Sequence, residues 1–216
     1  MSTQNSFDGK NLHTLIAGIS GSGKSTLVRT MLQSIKAAGG AQLILIDPKR
    51  TELTEQKYWP NCLQYAAKPD EIADALDIAA MMLEDRLDEM ARKEIRVYDG
   101  DHVFIVVDEM AFLMQSDRKK EYARMLNQIT LLGRAARIHL ILCTQVATQD
   151  VIPACIRDNM TNIVCLRQRD AGKYRYLLGC YPGRLPLVGY AYVFTPSMER
   201  PEKMKTERVW DAITNW

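Results

Sequence analysis

A glycine-rich segment with a lysine and a serine at fixed positions could bind the phosphate chain of a nucleotide. Residues 18–25 read GISGSGKS and match the pattern G-x-x-x-x-G-K-[ST] at every fixed position. Glycines let the backbone wrap a phosphate chain, and the helix expected to begin there adds the positive end of its dipole. Lys24 is expected to contact the β- and γ-phosphates, and the Ser25 hydroxyl is expected to bind Mg²⁺. The residues predicted to bind a purine nucleoside triphosphate, ATP, are Gly18, Ser20, Gly21, Ser22, Gly23, Lys24, Ser25 and Thr26.

Two adjacent acidic residues follow a continuous apolar run. The run VFIVV at residues 103–107 leads into Asp108 and Glu109, and it is typical of a strand covered on both faces. In this class of fold the end of such a strand lies beside the phosphate-binding loop. We expect Asp108 to hold Mg²⁺ through water and Glu109 to orient and deprotonate the attacking water. An acid placed to activate water indicates hydrolysis of the nucleotide.

A second strand with a polar end could complete the site. Residues 139–143 read HLILC and are followed by Thr144 and Gln145. Gln145 could hydrogen-bond the γ-phosphate or the attacking water, whereas His139, at the start of this strand, is interpreted as structural. Hydrolysis also needs a cation for the charge that develops on the transferred phosphoryl group. The candidates are Arg134 and Arg137, supplied by a neighbouring subunit.

Short apolar runs alternate with amphipathic stretches along the chain, which predicts an α/β fold with a mostly parallel, doubly wound sheet. No linker composition divides the chain, so residues 1–216 are interpreted as one domain, with residues 1–10 as a polar N-terminal tail. Strands are expected at residues 12–17, 42–46, 62–65, 103–107, 139–143 and 162–166, with a strand or hairpin at 185–194. Helices are expected from the phosphate-binding loop to about 36, and over about 69–95, 118–136 and 209–216.

The amino-acid composition excludes some classes of protein but does not identify a binding partner. The chain has 216 residues, of which 47% are hydrophobic and 25% charged, so it is neither disordered nor fibrous. A net charge of +2 says little about nucleic acid, which would need a local basic patch. No apolar run approaches the ~18 residues of a membrane span, and residues 1–10 lack a signal-peptide core. The expected location is cytoplasmic, unless another protein carries the chain to a membrane.

The cysteines argue against disulfides and against a zinc site. Their number, five, is odd, and no pair has C-x-x-C spacing. Cys62, Cys143, Cys155 and Cys165 lie inside or beside apolar runs. We therefore expect buried free thiols in a reducing compartment.

Taken together, these segments resemble the motor domain of the FtsK/SpoIIIE family of DNA translocases. The resemblance implies a three-layer P-loop NTPase fold of the RecA-like ASCE type. It also implies a homohexameric ring that hydrolyses ATP at subunit interfaces and pulls double-stranded DNA through its pore. In the family, the residue that matches Arg134 is the arginine finger. The matching segments are residues 13–25 (HTLIAGISGSGKS), 43–53 (LILIDPKRTEL), 106–114 (VVDEMAFLM), 132–145 (LGRAARIHLILCTQ) and 150–159 (DVIPACIRDN).

The resemblance also implies which residues contact DNA. In the family, DNA-contacting basic residues follow the Thr-Gln strand, and Arg157 and Arg175 occupy two such positions. Two other positions carry Val146 and Ala171, and Arg137 replaces the usual glycine before Ile-His-Leu. Basic side chains that contact phosphates suit a motor that must grip any sequence. Cations close enough to compensate for the two missing ones are Arg167, Arg169 and Lys173.

The chain matches only the motor and shows neither the family's membrane segments nor its winged-helix module. This favours a minimal motor for DNA transfer or genome packaging by a mobile element or virus, with a membrane- or capsid-bound anchoring partner. One alternative is a packaging ATPase that is active only on a capsid. A second is a nucleotide kinase, although Glu109 argues against it and no lid segment is evident. A third is a nucleotide-dependent switch without turnover, which the intact Lys24, Ser25, Asp108 and Glu109 argue against.

Overall fold

Residues 7, 10 and 12–215 are described by the computed structural model, and eight strands of this part form one sheet. The strand order is β3-β2-β4-β5-β1-β6-β7-β8. Six neighbouring strands, from β3 to β6, pair in parallel, whereas β7 and β8 are antiparallel. The predicted mostly parallel α/β sheet is thus confirmed. The strands are β1 (Thr14–Ala17), β2 (Ala41–Ile46), β3 (Cys62–Ala66), β4 (His102–Val107), β5 (Ile138–Thr144), β6 (Asn162–Cys165), β7 (Tyr190–Phe194) and β8 (Glu202–Lys205).

Helices cover both faces of this sheet. The helices are α1 (Lys24–Ala38), α2 (Pro69–Lys93), α3 (Met110–Met114), α4 (Lys119–Leu132), α5 (Ala154–Arg157), α6 (Ala171–Leu178) and α7 (Val209–Thr214). Apolar side chains of α1 and α7 pack against one face, and those of α2 to α6 pack against the other. All six residues of β4 are buried, as its continuous apolar run predicts. The sheet therefore lies in the middle of three layers.

Three parts of the expected pattern differ from the structure. The helix expected to reach residue 136 ends at Leu132, because Gly133 begins a turn into β5. A Cβ atom at Gly133 would lie 2.4 Å from the Ile138 carbonyl oxygen, so only glycine fits this turn. The strand Glu202–Lys205 was not expected, because a charged edge strand has no apolar period to reveal it. The short helices α3, α5 and α6 were also missed, being too short for a clear helical period.

The cysteine expectation is partly wrong. Cys143 and Cys165 are buried, and Cys62 is half-buried, but Cys155 is exposed. Cys155 lies on the one-turn helix α5, where its neighbour Ile156 takes the buried position. The apolar neighbours that suggested burial therefore occupy a different face of the helix. All five thiols are free.

Much of the predicted N-terminal tail lies outside the described residues. Phe7 is described and is buried, with its ring 5.4 Å from that of Phe104 and 5.5 Å from that of His102. Lys10 donates a hydrogen bond to the carbonyl oxygen of Thr214. In the described part of the chain, no helix combines the length and the apolar character needed to cross a bilayer.

The three histidines of the chain lie together where the strands begin. His13, His102 and His139 are all buried, and one 2.8 Å hydrogen bond joins His102 Nδ1 to His139 Nε2. His13 Nδ1 accepts a 3.0 Å hydrogen bond from the backbone N–H of Leu140. Complete burial lowers the pKa of His13 to about 4 and holds the pKa of His139 well below its ordinary value. The cluster agrees with a structural role for His139.

Acid is expected to destabilise the fold through this cluster. The folded state favours neutral His13, so unfolding takes up a proton, and stability is full above pH 6.5 and falls as the pH approaches 4. By this linkage His13 alone should lower the free energy of unfolding by about 2 kcal/mol between neutral pH and pH 5. Urea unfolding at pH 7 and pH 5 measures the difference. His13→Asn keeps an acceptor for the Leu140 N–H but does not titrate. An equally large loss in that variant would contradict the assignment.

Candidate nucleotide-binding and hydrolysis site

The phosphate-binding loop joins the end of β1 to the beginning of α1. Its backbone is anchored on both sides, because the Gly18 N–H donates to the Thr144 carbonyl (3.1 Å) and the Ile19 N–H donates to the Arg167 carbonyl (3.0 Å). Gly23, the N-cap of α1, has φ 90°, a conformation that glycine adopts without strain. The loop is thus held in a wrapped shape, and α1 begins at Lys24.

A cavity of about 390 Å³ lies over this loop. Its wall includes Gln145 at the end of β5, Arg29 on α1, Glu52, and Val188 from the segment before β7. Of the eight residues predicted to bind the nucleotide, Gly18 and Ser22 lie outside the wall. Ser22 is buried, and Gly18 is pressed so close to it that a Cβ atom there would lie 2.5 Å from Ser22 Oγ. The predicted residues that line the cavity are Ser20, Gly21, Gly23, Lys24, Ser25 and Thr26.

Asp108 is a buried carboxylate at the end of β4. Lys24 Nζ lies 3.9 Å from its Oδ1 atom. Burial raises the pKa of Asp108, and the positive charges of Lys24 and Lys49 oppose that shift. Among the described residues, neither carboxylate oxygen of Asp108 has a hydrogen-bond partner. Lys24, which approaches Asp108, lines the cavity together with Ser25. A buried carboxylate without a hydrogen-bond partner and a serine hydroxyl fit a hydrated Mg²⁺ ion, which binds through few protein oxygens.

Glu109 is held by three donors. Its Oε1 atom accepts hydrogen bonds from the Thr144 hydroxyl (2.9 Å) and the Gln145 backbone N–H (3.2 Å). Its Oε2 atom accepts a 2.9 Å hydrogen bond from Lys49 Nζ. Burial alone would raise the pKa of Glu109, but these donors and the charge of Lys49 lower it below its ordinary value. Glu109 is therefore an oriented carboxylate that stays ionised.

The strand order explains why these groups meet. β2, β4, β5 and β1 are parallel neighbours, so their carboxyl ends lie side by side along one edge of the sheet. Lys24, Asp108, Glu109 and Gln145 all lie at this edge, as predicted. Lys49 and Thr144 contact Glu109 as well, although no role was expected for either residue from the sequence. The signals for Lys49 were its place just after an apolar strand and its position in the segment 43–53 that matches the family.

Arg134 lies at the opposite edge of the sheet. It precedes β5, whereas Gln145 follows that strand, and a strand of seven residues spans about 20 Å. Arg134 therefore cannot reach the phosphate-binding loop of its own chain. It lines a cavity of about 390 Å³ with the exposed Leu131 and Leu132. The Nη1 atom of Arg137 donates a 2.9 Å hydrogen bond to the Gly100 carbonyl at a turn.

The four basic residues predicted to bind DNA fall into two places. Arg169 and Lys173 line a cavity of about 400 Å³ together with Ser20 and Gln145, directly beside the phosphate-binding loop. The other two, Arg157 and Arg175, line a separate cleft of about 700 Å³. The guanidinium of Arg157 lies 4.6 Å from the Tyr176 ring centroid and pairs with Asp158. The structure thus does not gather the four residues into one patch.

The sequence comparisons agree with the resemblance. Residues 4–104 match the model of the FtsK/SpoIIIE family. The DNA translocase FtsK of Streptomyces coelicolor is 30% identical over 207 residues, which cover 82% of this chain and 22% of that protein. FtsK of Staphylococcus aureus is 30% identical over 190 residues, covering 77% of this chain and 24% of that protein. The chain thus spans about a fifth to a quarter of the length of these relatives.

Solved structures show the same fold at lower identity. The pCW3 conjugation coupling protein TcpA, determined with ATPγS, superposes with a TM-score of 0.79 at 20% identity, over 95% of this chain and 65% of that one. EssC from Geobacillus thermodenitrificans superposes with a TM-score of 0.76 at 17% identity, over 94% of this chain and 44% of that one. The genome packaging NTPase B204 of Sulfolobus turreted icosahedral virus 2 superposes with a TM-score of 0.58 at 15% identity, over 89% of this chain and 96% of that one. With its matched segments, its P-loop fold and its relatives over most of its length, the chain belongs to the FtsK/SpoIIIE family.

Proposed function

We propose that the chain is an ATP-hydrolysing motor that moves double-stranded DNA, acting as a homohexameric ring in DNA transfer or packaging by a mobile element or virus. The observation that carries the proposal is the separation of the hydrolytic groups from Arg134. Each chain has a nucleotide cavity at one edge of its sheet and an arginine about 20 Å away at the other. Head-to-tail contacts between copies generate a ring when the rotation between copies closes, and such contacts would join these two edges.

The residues of the cavity divide the chemistry of hydrolysis. Lys24 and the backbone of the phosphate-binding loop bind the phosphates, and Ser25 and Asp108 hold the hydrated Mg²⁺. When bound, Mg²⁺ neutralises charge on the β- and γ-phosphates. Glu109 accepts a proton from the attacking water, and Gln145 hydrogen-bonds that water or the γ-phosphate. Arg134 of a neighbouring copy stabilises the charge that develops on the transferred group, so ATP turnover depends on assembly.

Support for a DNA substrate comes from the relatives and from the basic clefts. The FtsK proteins that match over most of this chain are DNA translocases by name. Arg157 and Arg175 supply cations at one cleft, and Arg169 and Lys173 supply cations beside the nucleotide. Contacts from such cations to phosphates carry no sequence information, which suits a motor that moves along any DNA.

Long linear double-stranded DNA is expected to stimulate ATP hydrolysis several-fold, whereas single-stranded DNA is not. Stimulation should fall steeply with salt, because phosphate contacts release counterions. In Arg175→Gln, half-maximal stimulation should need several-fold more DNA, and the slope of log affinity against log salt should fall by about 1. Arg92→Gln, an exposed charge on α2, is the matched control. Turnover that ignores DNA, or that needs a small phosphoryl acceptor, would contradict a translocase.

A packaging ATPase that works only on a capsid is the second candidate. The observation that favours it is the match to the packaging NTPase B204, which covers 96% of that protein's chain and 89% of this one. This candidate also uses Glu109 and Arg134, but it predicts no stimulation by free DNA and turnover only after docking on a capsid vertex. The DNA-stimulation assay therefore separates the two functions.

A further inference from the structure

We propose that Lys49 is a positioning residue that holds the Glu109 carboxylate in the orientation needed to accept a proton from the attacking water. This inference rests on the proposed ATP hydrolysis. Its basis is the 2.9 Å hydrogen bond from Lys49 Nζ to Glu109 Oε2, a contact across 60 residues of sequence. No role follows for Lys49 from the phosphate-binding loop or from the acidic pair themselves.

The hydrogen bond from Lys49 fixes the Glu109 carboxylate, which would otherwise be held by one oxygen and free to rotate about it. Glu109 is the N-cap residue of α3 and has an extended backbone, and Thr144 and Gln145 hold only its Oε1 atom. Lys49 holds the other oxygen from the opposite side, since β4 lies between β2 and β5 in the sheet. Donors on both sides of the carboxylate leave it one orientation. A reaction becomes much slower when its catalytic base is displaced by as little as ~1 Å.

The carboxylates of the adjacent residues Asp108 and Glu109 have different contacts. Neither carboxylate oxygen of Asp108 has a hydrogen-bond partner among the described residues, and Lys24 Nζ lies 3.9 Å from Oδ1. Glu109 has three donors. Lys49 thus forms its hydrogen bond with the residue proposed to act on water and not with the residue proposed to hold Mg²⁺. This selectivity favours a role for Lys49 in the water-activating step over a role in metal binding.

The segment that carries Lys49 is itself held rigid. Asp47 is buried, and its Oδ2 atom accepts hydrogen bonds from the backbone N–H groups of Glu52 (3.1 Å) and Leu53 (3.0 Å). The same segment is joined to β4, because the Asp108 N–H donates to the Ile46 carbonyl (3.0 Å). Glu52 also lines the nucleotide cavity. Lys49 therefore projects towards Glu109 from a braced turn at the edge of that cavity.

Lys49→Met removes the charge and the donor but keeps the length of the side chain. We expect kcat for ATP to fall about 10- to 100-fold while KM changes less than about twofold, because Lys49 acts on the base and not on nucleotide binding. Lys49→Arg should recover most of the lost rate, since a guanidinium also donates to a carboxylate. Adding Lys49→Met to Glu109→Gln should cause no further loss. Lys93→Met, which removes another lysine paired with a glutamate, is the control and should match the wild type.

Each result decides the proposal. A raised KM with unchanged kcat, a faster Lys49→Met variant, a Lys49→Arg variant as slow as Lys49→Met, or an additive loss with Glu109→Gln would overturn it. Thermal unfolding checks that the variants fold, and Lys49→Gln replaces Lys49→Met if the latter does not. A wild-type protein that fails to hydrolyse ATP would instead overturn the proposed function. A wild type that turns over ATP at the same rate as Lys49→Met overturns only the positioning role.

Discussion

Lys24→Ala is expected to lower ATP hydrolysis by about a thousandfold and to weaken ATP binding by about 10- to 100-fold. Lys24 lines the nucleotide cavity at the first position of α1, and its side chain is almost completely buried. Removing it deletes a charge-assisted contact to the phosphates in the ground state and in the transition state. Turnover is measured by phosphate release, and binding by titration with a slowly hydrolysed ATP analogue.

The matched control for this variant is Lys36→Ala. Lys36 lies on the same helix, is exposed, and places its ammonium group 4.4 Å from the Trp59 ring centroid, away from the cavity. Its turnover should equal that of the wild type. Thermal unfolding shows whether Lys24→Ala still folds. Wild-type turnover in a folded Lys24→Ala protein would rule out residues 18–25 as the catalytic phosphate-binding loop.

Arg134→Ala is expected to bind ATP normally but to lose about a thousandfold in hydrolysis. The reason is geometric, since Arg134 lies about 20 Å from the phosphate-binding loop of its own chain, across the length of β5. It can therefore act on a nucleotide only from another copy. Because ATP binding uses the cavity at the other edge, affinity for an ATP analogue should not change.

A mixing experiment tests the action between subunits. Arg134→Ala and Glu109→Gln are each expected to be inactive alone. In the mixed rings that the proposed function predicts, some interfaces would join an intact Glu109 to an intact Arg134. With random 1:1 assembly and independent sites, about a quarter of interfaces are complete, so activity should recover to about a quarter of wild type. If mixed rings form and no activity returns, Arg134 is not a residue that acts in trans. The Arg137→Ala variant serves as a comparison for Arg134→Ala, because the Arg137 side chain hydrogen-bonds the Gly100 carbonyl of its own chain.

Local sequence signals predicted much of the fold. The phosphate-binding loop, the apolar strand before Asp108 and the helix that begins at Pro69 are each specified by residues next to one another in the chain. Such features depend on local backbone chemistry and on the period of apolar residues. The elements that were not predicted were missed because they carry no such local signal. β8 is charged, α6 spans only eight residues, and Gly133 ends α4 through contacts with Ile138 that no local pattern displays.

The sequence by itself determined which residue types lie at the ends of the central strands: a glycine loop after β1, two acids after β4, and Thr144 followed by Gln145 at the end of β5. Only the tertiary structure decided which of these groups touch. Glu109 meets Lys49 because β2 and β4 are neighbours, although the two residues are 60 positions apart. Strand order depends on how helices pack on the two faces of the sheet, and that packing is a property of the whole chain. The same order separates Arg134 from its own nucleotide cavity.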